Sequence, residues 1–206
     1  MRLRRPATIH QQDGVFVPEG ITIEEVDVRW SQICAQNPAC FDGRILHVLG
    51  VHRNGHGGAN IHVVSCAYRF FAVQNDGLDL GIRPLGVKAI TTCGTNYLWG
   101  KRSERVHHYK GLWEFAPAGT VVPDVNPDEV IANELHEETG LQLHSNPIQV
   151  GILQDVQTKT WELIYRMRVC DKNISPNGEY QLLEWISGDS LPNGRSPITD
   201  AMLQFV

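Results

Sequence analysis

The chain has 206 residues, of which 42% are hydrophobic and 20% charged, a composition typical of a globular protein that can bury a sizeable core. Its net charge is −5 and it contains no large basic stripe, so nucleic acid is not expected to be its main partner. Five cysteines, odd in number and without a CxxC pair, favour reduced thiols in a cytoplasmic protein over a disulfide framework.

The amino-terminal segment MRLRRPATIH is basic but has no apolar stretch behind it, so neither a signal peptide nor a membrane span is expected. Arg2, Arg4 and Arg5 are predicted to lie in a frayed, solvated terminus. Residues 1–80 are expected to form an N-terminal extension or lobe that contains strands, and residues 81–206 to form the core domain.

Within the lobe, the alternating stretch ITIEEVDV at 21–28 leads into a predicted short helix, which ends before the turn-forming sequence NPACFDG at 37–43. Residues 45–53 and 60–73 are predicted to be strands, because both are rich in apolar and β-branched residues and are separated by the loop NGHGG.

Four histidines in the lobe raise the question of a zinc site. His47, His52, His56 and His62 have mostly alternate-strand spacing, which favours surface and edge positions over metal ligation. No zinc site is therefore expected there.

The core begins with LGVKAITTC and YLWGKRS, two segments that predict a hairpin around a Gly-Thr-Asn turn. The basic segment KRSERVHHYKG follows, with Arg102 and Arg105 among its cations. Beyond the central helix described below, residues 148–156, 161–170 and 179–187 alternate as strands, and a short helix is expected at about 199–205.

A helix is predicted between Asn126 and Gly140. Asn126 can cap its first turn, Pro127 suits the first helical position, and Gly140 supplies the stop. An apolar stripe along this helix can pack on a core; its members are Val130, Ile131 and Leu135.

The same helix carries Glu134, Glu137 and Glu138, whose spacing of three and four places them on one face. From Gly111 to Thr158 there is no Lys or Arg, and this segment carries a charge of −8, which leaves the rest of the chain at +3. A divalent cation such as Mg²⁺ or Mn²⁺ would offset the repulsion among the carboxylates. A solvated acidic face is the alternative interpretation of any charged run.

The spacing of this segment resembles the Nudix box, Gly-x5-Glu-x7-Arg-Glu-U-x-Glu-Glu-x-Gly-U, in which U is an aliphatic residue. Two positions depart from it, since Val125 replaces the first Glu and Asn133 replaces the Arg. The matching residues are Gly119, Glu134, Leu135, Glu137, Glu138, Gly140 and Leu141.

The resemblance implies an α/β fold, the Nudix α/β/α sandwich with a mixed sheet, to which the lobe adds strands. It also implies that Glu134, Glu137, Glu138 and the carbonyl of Ala118 hold Mg²⁺ or Mn²⁺. Loss of the supporting Glu and Arg can lower metal affinity or rate by about one to two orders of magnitude.

The resemblance further implies hydrolysis of a nucleoside diphosphate compound. Arg102 and Arg105 are candidates for phosphate contacts, because an anionic diphosphate needs cations as well as metal. Glu162 is a candidate substrate contact, and Glu179 or a glutamate of the box, Glu137 or Glu138, a candidate proton acceptor. For Glu162 and Glu179 a plain surface acid is the alternative.

Short segments upstream of the box, NPACFDG, AYRFF, PLGV and GLWEFAP, occur in an order that resembles the uridine diphosphate glucose diphosphatase branch of the family. A small-molecule substrate of that type is therefore expected. Two alternatives stay open: ADP-ribose as substrate, and a catalytically silent Nudix domain that binds a nucleotide or regulates a partner. The sequence also leaves the oligomeric state open, a homodimer included.

Overall fold

The structure is a computed structural model that describes residues 1–36, 40–74 and 77–206. Within these residues there are ten strands, four α-helices and a short 3-10 helix, Leu203–Phe205. The strands are β1 (Thr8–Phe16), β2 (Arg44–Arg53), β3 (Ala59–Ala67), β4 (Leu85–Cys93), β5 (Asn96–Arg102), β6 (Trp113–Phe115), β7 (Ala118–Thr120), β8 (Ile148–Asp155), β9 (Thr160–Arg168) and β10 (Tyr180–Ser187). The helices are α1 (Ile23–Gln36), α2 (Tyr68–Ala72), α3 (Pro127–Thr139) and α4 (Pro197–Met202).

The seven later strands form one mixed sheet in the order β10-β5-β4-β9-β8, with β6 paired to β5 and β7 paired to β4. Only β4 and β9 run parallel among these pairs of the described chain. Because β4 and β5 pair only at Thr92–Tyr97 and Cys93–Asn96, the two strands diverge, and β6 and β7 occupy the split between them. The ends of β4, β5, β6 and β7 therefore lie close together at this split.

Helix α3 covers one face of this sheet, and α4 with the 3-10 helix covers the other. Alternation along β4 shows the division: Val87 packs in the same buried cluster as Leu135 of α3, whereas Ile90 packs with Met202 of α4. The expected α/β/α sandwich with a mixed sheet is confirmed.

The lobe forms a three-stranded sheet in the order β1-β3-β2. One face of this sheet, including Leu46 and Ile61, belongs to the same buried cluster as α3 and β4. Its other face, including Ile45 and Cys66, packs beneath α1 and α2. The two sheets are therefore joined by a common hydrophobic core.

Several expectations for the lobe are wrong. The terminus is not frayed, because Leu3 is buried and its backbone N–H donates to Val150 O at 2.9 Å. The helix predicted before residue 37 is confirmed as α1, but it begins at Ile23 and so includes most of the alternating stretch at 21–28; the strand expected at 60–73 ends at Ala67, and α2 follows from Tyr68. The turn expected at 37–43 includes residues 37–39, which lie outside the described residues.

The histidines of the lobe also differ in part from expectation. His52 and His56 are exposed as predicted, but His47 is buried and its Nδ1 accepts a hydrogen bond from the Arg83 backbone N–H at 2.9 Å. Burial lowers the pKa of His47, so the ring is a neutral acceptor in the core. The described residues contain no helix that is both long and apolar enough to cross a bilayer.

Candidate functional site

Helix α3 begins and ends where its local sequence dictates. The Asn126 side chain accepts a hydrogen bond from the Asp128 backbone N–H at 3.0 Å, and Gly140 ends the helix in the left-handed region with φ 75°. Because Ile131 and Leu135 are fully buried, the rotation of the helix about its axis is fixed. Glu134 and Glu138 are then directed towards β7.

Strand β7 contacts both of these glutamates. The Ala118 backbone N–H donates to Glu138 Oε2 at 3.2 Å. A Cβ atom at Gly119 would lie 2.3 Å from Glu134 Oε1, which real Cβ atoms essentially never approach. The glycine of the box therefore provides the space in which Glu134 packs against the strand.

The Glu138 carboxyl is buried, at 1% exposure, and its pKa lies well above the ordinary range. Burial is the main cause, followed by the charges of Glu179 and Glu134. Burial likewise raises the pKa of Glu134 to about 7, with contributions from Glu179 and Glu137. Three carboxyl groups, those of Glu134, Glu138 and Glu179, thus crowd together.

The three box glutamates are not equivalent. Glu134 is half-buried and Glu138 is buried, whereas Glu137 is exposed at the solvent edge of the group. The carboxyl that completes the crowded group is instead that of Glu179, which the chain brings from the loop before β10. Among the ion pairs of the described residues, none involves Glu134, Glu137 or Glu138.

A buried ion network lies beside this group. Arg102 Nη1 donates to Glu179 Oε1 at 3.0 Å and to Glu114 Oε1 at 2.8 Å, and Lys88 Nζ donates to Glu114 Oε2 at 3.1 Å. Burial alone would lower the pKa of Lys88, but attraction to Glu114 and Glu162 outweighs it and raises that pKa. Arg102, expected to contact phosphate, therefore also holds two carboxylates in place.

Glu162 lies on the far side of Lys88. It is 6% exposed, its Oε1 accepts a hydrogen bond from Thr160 Oγ1 at 2.6 Å, and a Cβ at Gly86 would lie 2.4 Å from its Oε2. Burial raises the pKa of Glu162 to about 7 even though Lys88 opposes this shift. The structure thus places Glu162 in the buried network rather than beside Glu134 and Glu138.

The loop between β5 and β6, residues 103–112, is held by hydrogen bonds to Glu179 and to Asp155. At its base the Ser103 backbone N–H donates to Glu179 O at 2.9 Å, and near its tip Tyr109 Oη lies 2.7 Å from both carboxylate oxygens of Asp155. Within the loop Arg105 is exposed. Burial lowers the pKa of the neighbouring His108 to about 4, and His107 contributes.

Sequence reasoning missed Lys88, Glu114, Tyr109 and Asp155. A signal existed for two of them, since Lys88 interrupts the apolar run LGVKAITTC and Glu114 interrupts LWEFA. A charged residue within a buried strand needs a partner. The identity of that partner could not be deduced, because the pair lies 26 residues apart in sequence.

The residues present fit a divalent metal in chemistry. Carboxylate oxygens are the ligands that Mg²⁺ and Mn²⁺ prefer, and Glu138 Oε1 is a buried oxygen without a hydrogen-bond partner. The side chains are not yet in a ligating arrangement, because no group of three His, Cys, Asp or Glu in the described part could hold an ion as it stands.

Comparison of the sequence with known protein families identifies one family. A sequence profile described as the NUDIX domain matches residues 83–204, which is more than half of the chain. No curated protein sequence matches the chain at a significant level.

Solved structures provide the second comparison. The MutT NUDIX hydrolase from Burkholderia pseudomallei has a TM-score of 0.53 and 19% identity, over 59% of this chain and 96% of that chain. The MutT protein from Methanosarcina mazei Go1 has a TM-score of 0.48 and 23% identity, over 59% and 91%. A bifunctional NMN adenylyltransferase/ADP ribose pyrophosphatase from Francisella tularensis, complexed with AMP and a Mn ion, has a TM-score of 0.47 and 18% identity, over 59% and 40%. The similarity to the Burkholderia pseudomallei hydrolase shows the fold, and the profile match over more than half of the chain shows that the chain belongs to the Nudix family.

Proposed function

We propose that this protein hydrolyses the diphosphate linkage of a nucleoside diphosphate sugar, with a UDP-glucose-like compound as substrate. The products would be a nucleoside monophosphate and a sugar 1-phosphate. The observation that carries the proposal is the group of crowded carboxyls, Glu134, Glu138 and Glu179, with Arg102 beside it.

Glu134, Glu137, Glu138 and the Ala118 carbonyl would hold Mg²⁺ or Mn²⁺. The bound ion would offset the negative charge of the carboxyls and the diphosphate and would lower the pKa of the attacking water. Crowding supports this assignment, because the raised pKa values of Glu134 and Glu138 mean that their ionised forms are unfavourable without a cation.

Glu179 is the proposed proton acceptor, with Glu137 or Glu138 as the alternative. Its side chain is 35% exposed, so water can reach it, and Arg102 fixes its orientation at 3.0 Å. The two requirements for a general base, access and position, are thus met by one residue.

Arg102 and Arg105 are the proposed cations for the phosphates. Arg102 lies next to Glu179, and Arg105 is exposed in the loop that begins there. Glu162 is the third proposed substrate contact; it accepts a hydrogen bond from Thr160 and interacts electrostatically with Lys88.

The substrate assignment rests on the upstream segments that resemble the uridine diphosphate glucose diphosphatase branch, and ADP-ribose is the alternative substrate. The cytoplasm is the proposed compartment, because all five cysteines are free thiols. A homodimer stays a prediction from the sequence.

A silent, nucleotide-binding Nudix domain is the second candidate function. Two observations favour it: Val125 and Asn133 stand where the box has Glu and Arg, and the described side chains form no ready metal site. Calorimetry with Mg²⁺ or Mn²⁺, with and without nucleotide, separates the two candidates. Absence of metal binding under both conditions favours the silent domain.

The direct test is a panel of nucleoside diphosphate sugars and ADP-ribose incubated with Mg²⁺ or Mn²⁺, with phosphate release measured after phosphatase coupling. Glu138→Gln should lower turnover by about two or more orders of magnitude, because it removes charge that acts in the transition state. The matched control is Glu129→Gln, an exposed acid on the same helix, which should retain the parent rate.

Two results would count against the proposal. If the parent protein hydrolyses no compound in the panel, the enzymatic assignment fails. If Glu138→Gln and the parent have equal rates, the hydrolysis does not depend on the site described above. Circular dichroism of the variant establishes that any loss of rate is not a loss of fold.

A further inference from the structure

Three buried polar atoms of the described residues belong to one neighbourhood and have no hydrogen-bond partner in the protein: Tyr180 pairs with Arg102 across β10 and β5, and the charge of the proposed metal ligand Glu138 acts on Tyr180. The three atoms are Glu138 Oε1, Tyr180 Oη and Arg102 Nε, out of five such atoms among residues 1–36, 40–74 and 77–206. An unpartnered buried polar group lowers stability, so a cluster of them at one place needs a functional explanation.

A β-bulge directs Tyr180 into this place. Tyr180 pairs with Arg102 in the β10–β5 register, but Leu182 pairs with Lys101, so Gln181 is an extra residue on β10. Tyr180 and Leu183 consequently both face inward, whereas Gln181 and Leu182 are both exposed. Bulges commonly re-aim a side chain next to an active site.

A glycine fixes the position of the tyrosine ring. A Cβ at Gly100 would lie 2.4 Å from Tyr180 Cδ1 and 2.5 Å from Cε1, so the ring lies directly against the backbone of β5. The residue is 2% exposed. Burial raises the pKa of Tyr180 well above its ordinary value, and the charges of Glu138 and Glu114 add to this rise.

The chemistry of the three atoms indicates what they would bind. Tyr180 Oη–H and Arg102 Nε–H are donors, and the second of them carries positive charge. Glu138 Oε1 is an acceptor that would be occupied by a bound cation. Two hydrogen-bond donors, one of them positively charged, thus lie beside a carboxylate that would hold a metal cation. This arrangement is complementary to an anionic oxygen that would accept both hydrogen bonds and bind the same metal cation.

We infer that Tyr180 Oη and Arg102 Nε together bind a non-bridging oxygen of the diphosphate group, which makes Tyr180 a substrate-binding residue. This inference rests on the proposed function and deepens it. A buried water molecule is the competing occupant, because water can also accept two hydrogen bonds and donate one to Glu138.

The test compares two variants, each of which replaces one tyrosine by phenylalanine and so removes one hydroxyl oxygen. Tyr180→Phe removes a hydroxyl without a partner in the protein. The matched control, Tyr165→Phe, removes a hydroxyl that donates to Asp128 Oδ1 at 2.8 Å and accepts from Gln149 Nε2 at 3.0 Å. The probe is methylenediphosphonate with Mg²⁺, measured by calorimetry, and thermal unfolding is measured without the probe.

We expect opposite patterns from the two variants. Tyr180→Phe should unfold at the parent temperature or above it, and its dissociation constant for the probe should rise about tenfold or more. Tyr165→Phe should unfold at a lower temperature, while its dissociation constant should stay within about twofold of the parent.

Three results would overturn the inference. The first is a Tyr180→Phe variant that binds the probe within twofold of the parent, as expected for a hydroxyl that contacts only water. The second is a loss of thermal stability in Tyr180→Phe as large as in Tyr165→Phe, which means that the hydroxyl has a partner within the protein. The third is a parent protein that does not bind the probe at all.

Failure of this inference can be distinguished from failure of the proposed function. If the parent hydrolyses a compound in the panel and Tyr180→Phe binds the probe normally, only the assignment of Tyr180 is wrong. If the parent hydrolyses nothing but Tyr180→Phe weakens probe binding, the oxygen site exists in a domain that is silent.

Discussion

The substitution Glu114→Gln tests the buried ion network most directly. Glu114 is 1% exposed and is the common partner of Lys88, at 3.1 Å, and Arg102, at 2.8 Å. Burial opposes its ionisation, but the two cations outweigh burial and lower its pKa. Glutamine has nearly the same shape, so the substitution removes the charge while leaving the packing in place. Two buried cations are then left without their shared anion.

The expected loss of stability follows from this geometry. Removing one member of a buried ion pair typically costs about 3–5 kcal/mol, because the remaining charge stays buried without compensation. For a chain of this length, 1 kcal/mol corresponds to about 2–4 °C in Tm, so Tm should fall by roughly 6–20 °C. Thermal and urea unfolding, followed by circular dichroism, provide the measurement.

The control is Glu184→Gln on the exposed face of β10, which should change stability by no more than about 0.5 kcal/mol. The double variant Lys88→Met with Glu114→Gln should recover part of the loss, because Lys88 loses its ion-pair partner in the single variant, whereas Arg102 keeps Glu179 at 3.0 Å. A loss below about 1 kcal/mol for Glu114→Gln alone would refute the reasoning, since Lys88 and Arg102 would then be compensated by other groups.

Two further predictions concern single residues. The pKa of Glu162 is raised from 4.5 to about 7, so the protonated carboxyl stabilises the fold. This stabilisation, about 3 kcal/mol, is fully present below pH 4.5 and is lost as the pH rises through 7. Unfolding of Glu162→Gln in urea should therefore change less between pH 4.5 and 7.5 than unfolding of the parent, and equal pH profiles would contradict the assignment. Asn126→Ala removes the cap of α3 and should lower the free energy of unfolding by about 1 kcal/mol in the same assay, an expectation that an unchanged midpoint would reject.

The parts of the fold that were predicted correctly are those with local signals. Helix α3 has its cap, its first-turn proline and its terminal glycine within the sequence of the helix itself. Helix α1 also has such a signal, because Thr22 and Glu25 form a capping box: the Glu25 N–H donates to Thr22 Oγ1 at 3.2 Å and the Thr22 N–H to Glu25 Oε2 at 3.1 Å. The capping box places the start of the helix at Ile23, within ITIEEVDV, whose alternation had indicated a later start.

Strand β1 could not have been predicted in the same way. Its sequence TIHQQDGVF is mostly polar, and most of its residues are exposed. It forms a strand because its backbone pairs in parallel with β3, from Thr8 opposite Asn60 onwards. Its hydrogen bonds thus depend on a strand more than 40 residues away, and a local sequence pattern cannot predict such a pairing.

The candidate site likewise contains residues that local sequence predicts and residues that it does not. The spacing of Glu134 and Glu138 on one turn of α3 places both against β7, as a helical period requires. The contact of Glu179 with Arg102 joins residues 77 apart, and the inward position of Tyr180 depends on a bulge that strict alternation would not predict. Periodicity therefore identified the carboxylates of the helix but not the groups that surround them.

The common core of the two sheets has a consequence for how this family member can be compared or recombined with others. The family profile begins at residue 83, yet Leu46, Ile61 and Val63 of the preceding lobe bury the same apolar surface as Ile131 and Leu135. The lobe and the Nudix domain thus share one hydrophobic core and are expected to unfold together. A chimaera made by joining relatives at the profile boundary would have to carry the lobe along, or replace the side chains that it covers.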